Sequence, residues 1–253
     1  MSARSALSAF VLHRYDWSES SLILEIFTRE QGRLAVAAKG AKRPYSQLRA
    51  VLLPFQRISI GLGRAPGNEG AAEIHSLRSA EWAGGPPMLG GAALFSGFYL
   101  NELLMKLAAR HDPHPVLFDA YAETLVALAV REDASAEAAL RAFELTLLRE
   151  LGVLPDLSLA TSTQQALSEG GRYTLHADAG VGVPRTGETA LAGATLIGLQ
   201  AALEHGSLPA LQQACASALP ELKGLLRAQL HYHLGSSVLR TRRVMVEAQN
   251  LEP

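Results

Sequence analysis

The chain has 253 residues, 48% apolar and 19% charged, with a net charge of −1 and one cysteine, Cys215. That much apolar matter supports sizeable cores in one to three domains and excludes a disordered chain. A single thiol excludes a disulfide framework and an all-thiolate zinc site, and no run reaches the roughly 20 apolar residues of a membrane helix. The N-terminal MSARSALSAFVLHRYDW holds no apolar run long enough for a signal peptide, and a reducing cytoplasm fits the cysteine usage. The charge is uneven. Residues 1–64 carry ten Lys/Arg against four Asp/Glu, residues 65–160 six against thirteen, and residues 161–253 seven against seven. The first block is the one that attracts a polyanion.

In chain order, Ala9–Tyr15, Ser20–Phe27 and Arg33–Ala38 are predicted strands, rich in Val, Ile, Leu and Phe. A hairpin turn at Thr28–Arg33, containing Gly32, joins the second to the third. Val51–Gly61 and Ala72–Glu81 complete five strands with no strong helix between them, which predicts a small closed barrel. Phe10, Phe27 and Phe55 are expected in the barrel core. Gly84-Gly85-Pro86-Pro87 marks a boundary. Beyond it the apolar period shifts to three and four. Helices are expected around Leu94–Leu107, Pro115–Arg131 and Ser135–Gly152, packed as an antiparallel bundle. The pattern fails from Val153 to Pro184, where glycines punctuate short strands at Tyr173–His176 and Gly180–Val183. It returns at Thr195–Glu204, Leu208–Leu219 and Glu221–Leu234, before a basic last segment, Ser236–Gln249.

Enzyme signatures are missing. There is no P-loop and no G-x-S-x-G elbow, and Pro66 stands where a dinucleotide fingerprint begun at Gly61 needs its third glycine. His111 with His114, and His231 with His233, lack a full set of metal-ligand partners. Glu144 and Glu150 stand about 120° apart around a helix, a poor acid/base pair. The positive signal is cationic. Lys39, Lys42 and Arg43 fall within five residues beside Gly40, after a strand, where the backbone can approach an anion closely. Arg14, Arg33 and Arg49 lie in the same block. Trp17 and Tyr45 sit in polar surroundings, where exposed rings can stack on bases, each worth about 1–3 kcal/mol.

The words FVLHRYDWSESSLILEIFT, REQGRL, AKGAKR, QLRAVLLPF, LRSAE, LFSGFYLNELLMKL and ALRAFELTLLRELG run in order over the first 155 or so residues. With the late LLRAQLHYHLGSSVLRTRR, they resemble the RecO family of bacterial recombination mediators. The resemblance implies an α+β protein. Residues 1–83 would form a five-stranded oligonucleotide-binding (OB) barrel and residues 84–253 an α-helical domain. A small zinc-ribbon-like β-insert at 153–185 would here lack its cysteines, so no metal and no cofactor is expected. It implies a non-catalytic mediator in the bacterial cytoplasm, at the nucleoid and off the membrane. Such a protein binds single- and double-stranded DNA, anneals complementary strands, engages RecR and helps load RecA on gaps coated by the single-stranded-DNA-binding protein, SSB.

The expected DNA contacts are Arg14, Arg33, Lys39, Lys42, Arg43 and Arg49, with Trp17 and Tyr45 stacking. Arg240, Arg242 and Arg243 either extend that surface or complement a helix C-terminus. Arg141 is the candidate for the acidic SSB tail, against a reading as a helix arginine paired with Glu137 or Glu144. The competing class is a protein-interaction adaptor whose barrel binds a peptide in place of nucleic acid.

Overall fold

A computed structural model of the chain describes residues 6–63, 74–130, 134–235, 239–241 and 244. It divides into two compact units, one running through Ala129 and resuming at Arg240, the other Val130–Leu239. In the first unit the five expected strands form: β1 (Leu7–Asp16), β2 (Leu22–Thr28), β3 (Gly32–Ala38), β4 (Arg57–Leu62) and β5 (Ile74–Trp82). They close into a barrel in the order β1-β2-β3-β5-β4, with β1 pairing β4 and only β3–β5 parallel. The strand read over 51–61 begins later, at Arg57. Before it come a one-turn helix, α1 (Leu48–Val51), then Pro54, which has no N–H to give a ladder, and Phe55 in the left-handed region at φ 66°. Leu48 and Val51 pack against the barrel core.

The pleat sorts the side chains of β1–β3. Ala9, Val11, Leu24, Ile26, Leu34 and Val36 fill the barrel. Phe10 and Phe27, expected inside with them, point the other way, because each directly follows or precedes an inward residue. They are still buried, under α3 (Pro115–Val130). The Phe118 ring lies 5.2 Å from Phe10 and 5.6 Å from Phe27, and Tyr121 lies 5.0 Å from Phe10. α2 (Gly91–Leu107) packs along β1, where Asn101 donates to the Leu12 carbonyl at 2.9 Å and accepts from the Tyr121 hydroxyl at 2.5 Å. Burial raises the Tyr121 phenol above its ordinary range, so it remains a donor. Phe55 meets Phe98 of α2 with ring centroids 5.1 Å apart.

The expected bundle of the first three long helices is therefore replaced. α2 and α3 serve the barrel, and α4 (Ala134–Glu150) belongs to the second unit, where it packs on α6 (Leu208–Ala216) and α7 (Leu219–Leu234). α5 (Gly193–His205) packs on α6. Between α4 and α5 the insert holds a two-stranded sheet, β6 (Leu159–Ala160) and β7 (Gln165–Ala166). It also holds a three-stranded one, of β8 (Arg172–His176), β9 (Gly180–Gly182) and β10 (Leu191–Ala192). Leu157, Leu167, Leu175, Val181 and Leu191 are buried there. Among the described residues no group of His, Cys, Asp and Glu is arranged to hold a metal, and no helix is long and apolar enough to cross a membrane.

Phe118 joins barrel to helices, so Phe118→Ala should lower unfolding free energy by about 3–5 kcal/mol. Chemical denaturation followed by Trp17 and Trp82 fluorescence measures this; a loss under 1 kcal/mol would refute the docking role.

Candidate nucleic-acid interface

Strand register builds the site. Asp16 pairs with Leu22 and Leu22 with Ala38, so the end of β1, the start of β2 and the end of β3 lie side by side at one barrel pole. The loops that leave this pole, 17–21 and 39–47, are tied together. The Lys42 amide donates to the Ser20 carbonyl at 2.9 Å, and the Gly40 amide to Ser21 Oγ at 3.4 Å. The Lys42 ammonium donates to the Ser18 carbonyl at 3.1 Å and stands 3.0 Å from Asp16. Gly40 has φ 73°, a conformation glycine adopts without Cβ strain, and the Arg43 amide donates to its carbonyl to close the turn. α1 caps the same pole, and Arg14 reaches its end by donating to the Leu52 carbonyl at 3.4 Å.

Arg14, Lys39, Arg43 and Arg49 are exposed at this pole, and Lys42 is half-buried against Asp16. Tyr45 is 99% and Trp17 56% exposed, so both rings offer open faces. The structure thus brings together seven of the expected contacts. It adds Tyr15, 44% exposed and edge-on to His13 at 4.4 Å. The signal for it was available: after the apolar Ala9-Phe10-Val11-Leu12 the sequence turns to His13-Arg14-Tyr15-Asp16, and all four of these are exposed.

Arg33 does not join them. It donates to Glu25 at 3.1 Å and to the Ala108 carbonyl at 3.1 Å, and Arg110 also binds Glu25, a residue only 4% exposed. Its guanidinium neutralises a buried carboxylate between β2, β3 and the end of α2, which removes it from the set of phosphate contacts. Two further barrel cations turn the same way. Arg29 pairs with Asp119 at 2.9 Å, and Arg57 donates to Ser8 Oγ at 2.8 Å with its guanidinium 5.8 Å from the Phe118 ring.

Arg240 is exposed, with its amide donated to Glu102 at 2.8 Å; Arg242 and Arg243 lie outside the described residues. Arg141 sits in the second unit, 8% exposed, with Nη2 2.9 Å from the fully buried Glu144. The helix pairing holds, but as a buried pair and not a surface one. Beside it the Cys215 thiol is pushed up to about 12, chiefly by burial, with Glu144 adding to the rise and Arg141 opposing it. That thiol is closed off from solvent, and Arg141 presents no open guanidinium.

Comparison with known proteins covers both units. The family model described as Recombination protein O N terminal matches residues 1–84, and Recombination protein O C terminal matches residues 90–243. The chain is similar to the DNA repair protein RecO of Polaromonas sp. (strain JS666 / ATCC BAA-500), 52% identical over 245 residues, or 96% of each chain. It is also similar to those of Delftia acidovorans, 51% identical over 251 residues, and Variovorax paradoxus, 49% over 252, again with 96% of each chain covered.

The two kinds of arginine and lysine should separate in stability. Arg33→Ala, which leaves Glu25 with one partner, should cost about 3 kcal/mol, and Lys39→Ala under ~0.5 kcal/mol. Urea titration of both variants reads this; equal losses would overturn the assignment of Arg33 to the scaffold.

Proposed function

The chain belongs to the RecO family of DNA repair proteins, and from that premise we propose that it acts without turnover, by binding DNA through the barrel pole. Residues 1–83 serve as the DNA-binding domain; of the helical residues expected to form a domain over 84–253, α2 and α3 group with the barrel and α4–α7 with the second unit. Arg14, Lys39, Lys42, Arg43 and Arg49 neutralise phosphates, while Trp17 and Tyr45 stack on unpaired bases. The observation that carries this reading is the gathering of these cations and two open rings at one end of a closed barrel, on two loops bonded to each other and on the adjoining end of β1 and α1.

Annealing follows from the same physics. Two single strands repel along their whole length, and cations that cover both backbones lower that repulsion so that complements can meet. The partners this reading implies are single- and double-stranded DNA, RecR, the SSB tail and, indirectly, RecA, in the bacterial cytoplasm at the nucleoid. For the tail, the burial of Arg141 against Glu144 supports a role in holding α4 and not direct capture.

Titration of a labelled single-stranded oligonucleotide at rising salt tests the pole. The wild-type chain should lose affinity with a slope of about −0.7 per neutralised phosphate. Lys39→Glu with Lys42→Glu and Arg43→Glu should weaken binding by at least about tenfold and flatten that slope. Affinity indifferent to salt, or to the triple reversal in a chain that still melts normally, would sink the reading.

A further inference from the structure

Glu102 stands on α2 one residue after Asn101, which is itself fixed to the Leu12 carbonyl and the Tyr121 hydroxyl. The anchor is thus rigid relative to β1. Its carboxylate accepts from the backbone amide of Arg240 at 2.8 Å, from the amide of Thr241 at 2.9 Å and from Thr241 Oγ1 at 2.6 Å. Lys106, one turn along α2, stands 3.5 Å away. Burial works against the charged form of Glu102, yet these bonds and Lys106 outweigh it and hold the carboxyl below its ordinary range. A single carboxylate gathering two successive amides and a hydroxyl fixes both the position and the direction of the chain there. It takes the amide of Arg240 and leaves the side chain exposed. Arg240 and Thr241 belong to the barrel-bearing unit although the residues before them, from Val130, do not.

We propose that Glu102 is the positioning residue for the chain's final basic segment: it pins Arg240 and Thr241 to α2 and so carries the Arg240 cation on the barrel-bearing unit for contact with nucleic-acid phosphate. The anchoring half stands on geometry alone; the phosphate half rests on the DNA reading above. Three hydrogen bonds to one acid hold Arg240 and Thr241 there, so removing that acid should free these two residues without unfolding the rest.

Hydrogen exchange by mass spectrometry on the full chain, with Glu102→Ala, Glu102→Gln and Arg240→Ala, separates the two halves. In Glu102→Ala, exchange of the Arg240 and Thr241 amides should rise on the order of tenfold or more while the melting temperature holds. Glu102→Gln, which retains an acceptor but no charge, should fall between. Oligonucleotide titrations on Glu102→Ala and Arg240→Ala should each show a salt slope shallower by about 0.7, one phosphate contact. Unchanged exchange in Glu102→Ala overturns the anchor. Freed amides with an unaltered slope in both variants overturn the segment's phosphate role, whatever the charge-reversal of Lys39, Lys42 and Arg43 shows for the pole.

Discussion

The constraint on which the first unit depends is that β1 and β2 carry large apolar side chains on both faces. A small barrel needs only its inner face apolar, but here Phe10 and Phe27 stand outside and must be covered too. Phe118 and Tyr121 cover them. Such rings bury about 150–250 Å² each, a large share of what holds a small domain. Once α3 lies there, β2 contributes a carboxylate, Glu25, to the covered surface, and an isolated carboxylate in that place is untenable. Arg33 from β3 and Arg110 from beyond α2 answer it. The ion triad is a consequence of the two-faced strands, and it fixes the connection between α2 and α3 against the sheet.

The same constraint decides which cations are free. β3 has Gly32 at one end and Ala38 at the other, roughly 20 Å apart at the rise of a strand. At the Gly32 end the chain is so close to the Asp112 backbone that a Cβ would lie 2.0 Å from its carbonyl oxygen. That end belongs to the helical connection, and Arg29 and Arg33 near it have partners in Asp119 and Glu25. At the Ala38 end the neighbours are short polar loops and α1, with Asp16 beside Lys42. Among the described residues the positive charge of this block is thereby divided: Arg29, Arg33 and Arg57 serve the packing of the helices on the barrel, and Arg14, Lys39, Lys42, Arg43 and Arg49 gather at the other pole.

Much of this was readable in the chain itself. All five barrel strands, the Thr28–Arg33 hairpin, the exposed Trp17 and Tyr45, and the Lys39–Arg43 loop follow from local patterning, because turn chemistry and two-residue alternation act over a few residues. What could not be read is what depends on distant partners. Arg33 and Lys39 look alike in sequence, and only Arg33 meets Glu25, in company with an arginine 85 residues further along than Glu25. Phe10 and Phe27 have the composition of a core, and the sheet face that buries them is settled by α3, a separate element. Arg141 has the spacing of a surface helix pair, and α6 and α7 packing on α4 make it a buried one. The grouping of α4 with later helices, in place of a bundle with α2 and α3, is another long-range outcome.

The free pole also has a scale that suits the proposed role. Roughly five phosphates neutralised on a single strand give a salt slope near −3.5, and hence a change of about 100-fold in affinity between 50 and 200 mM salt. Stacking on two rings adds a few kcal/mol that does not depend on sequence. Binding of that kind is firm enough to hold a strand while a complement searches. On the proposed reading, pairing would take away the stacking share, because a duplex no longer offers open base faces to Trp17 and Tyr45, and would leave the phosphate share in place. Shallow, salt-sensitive contact on open loops would therefore hold a single strand by both terms and a duplex by charge alone.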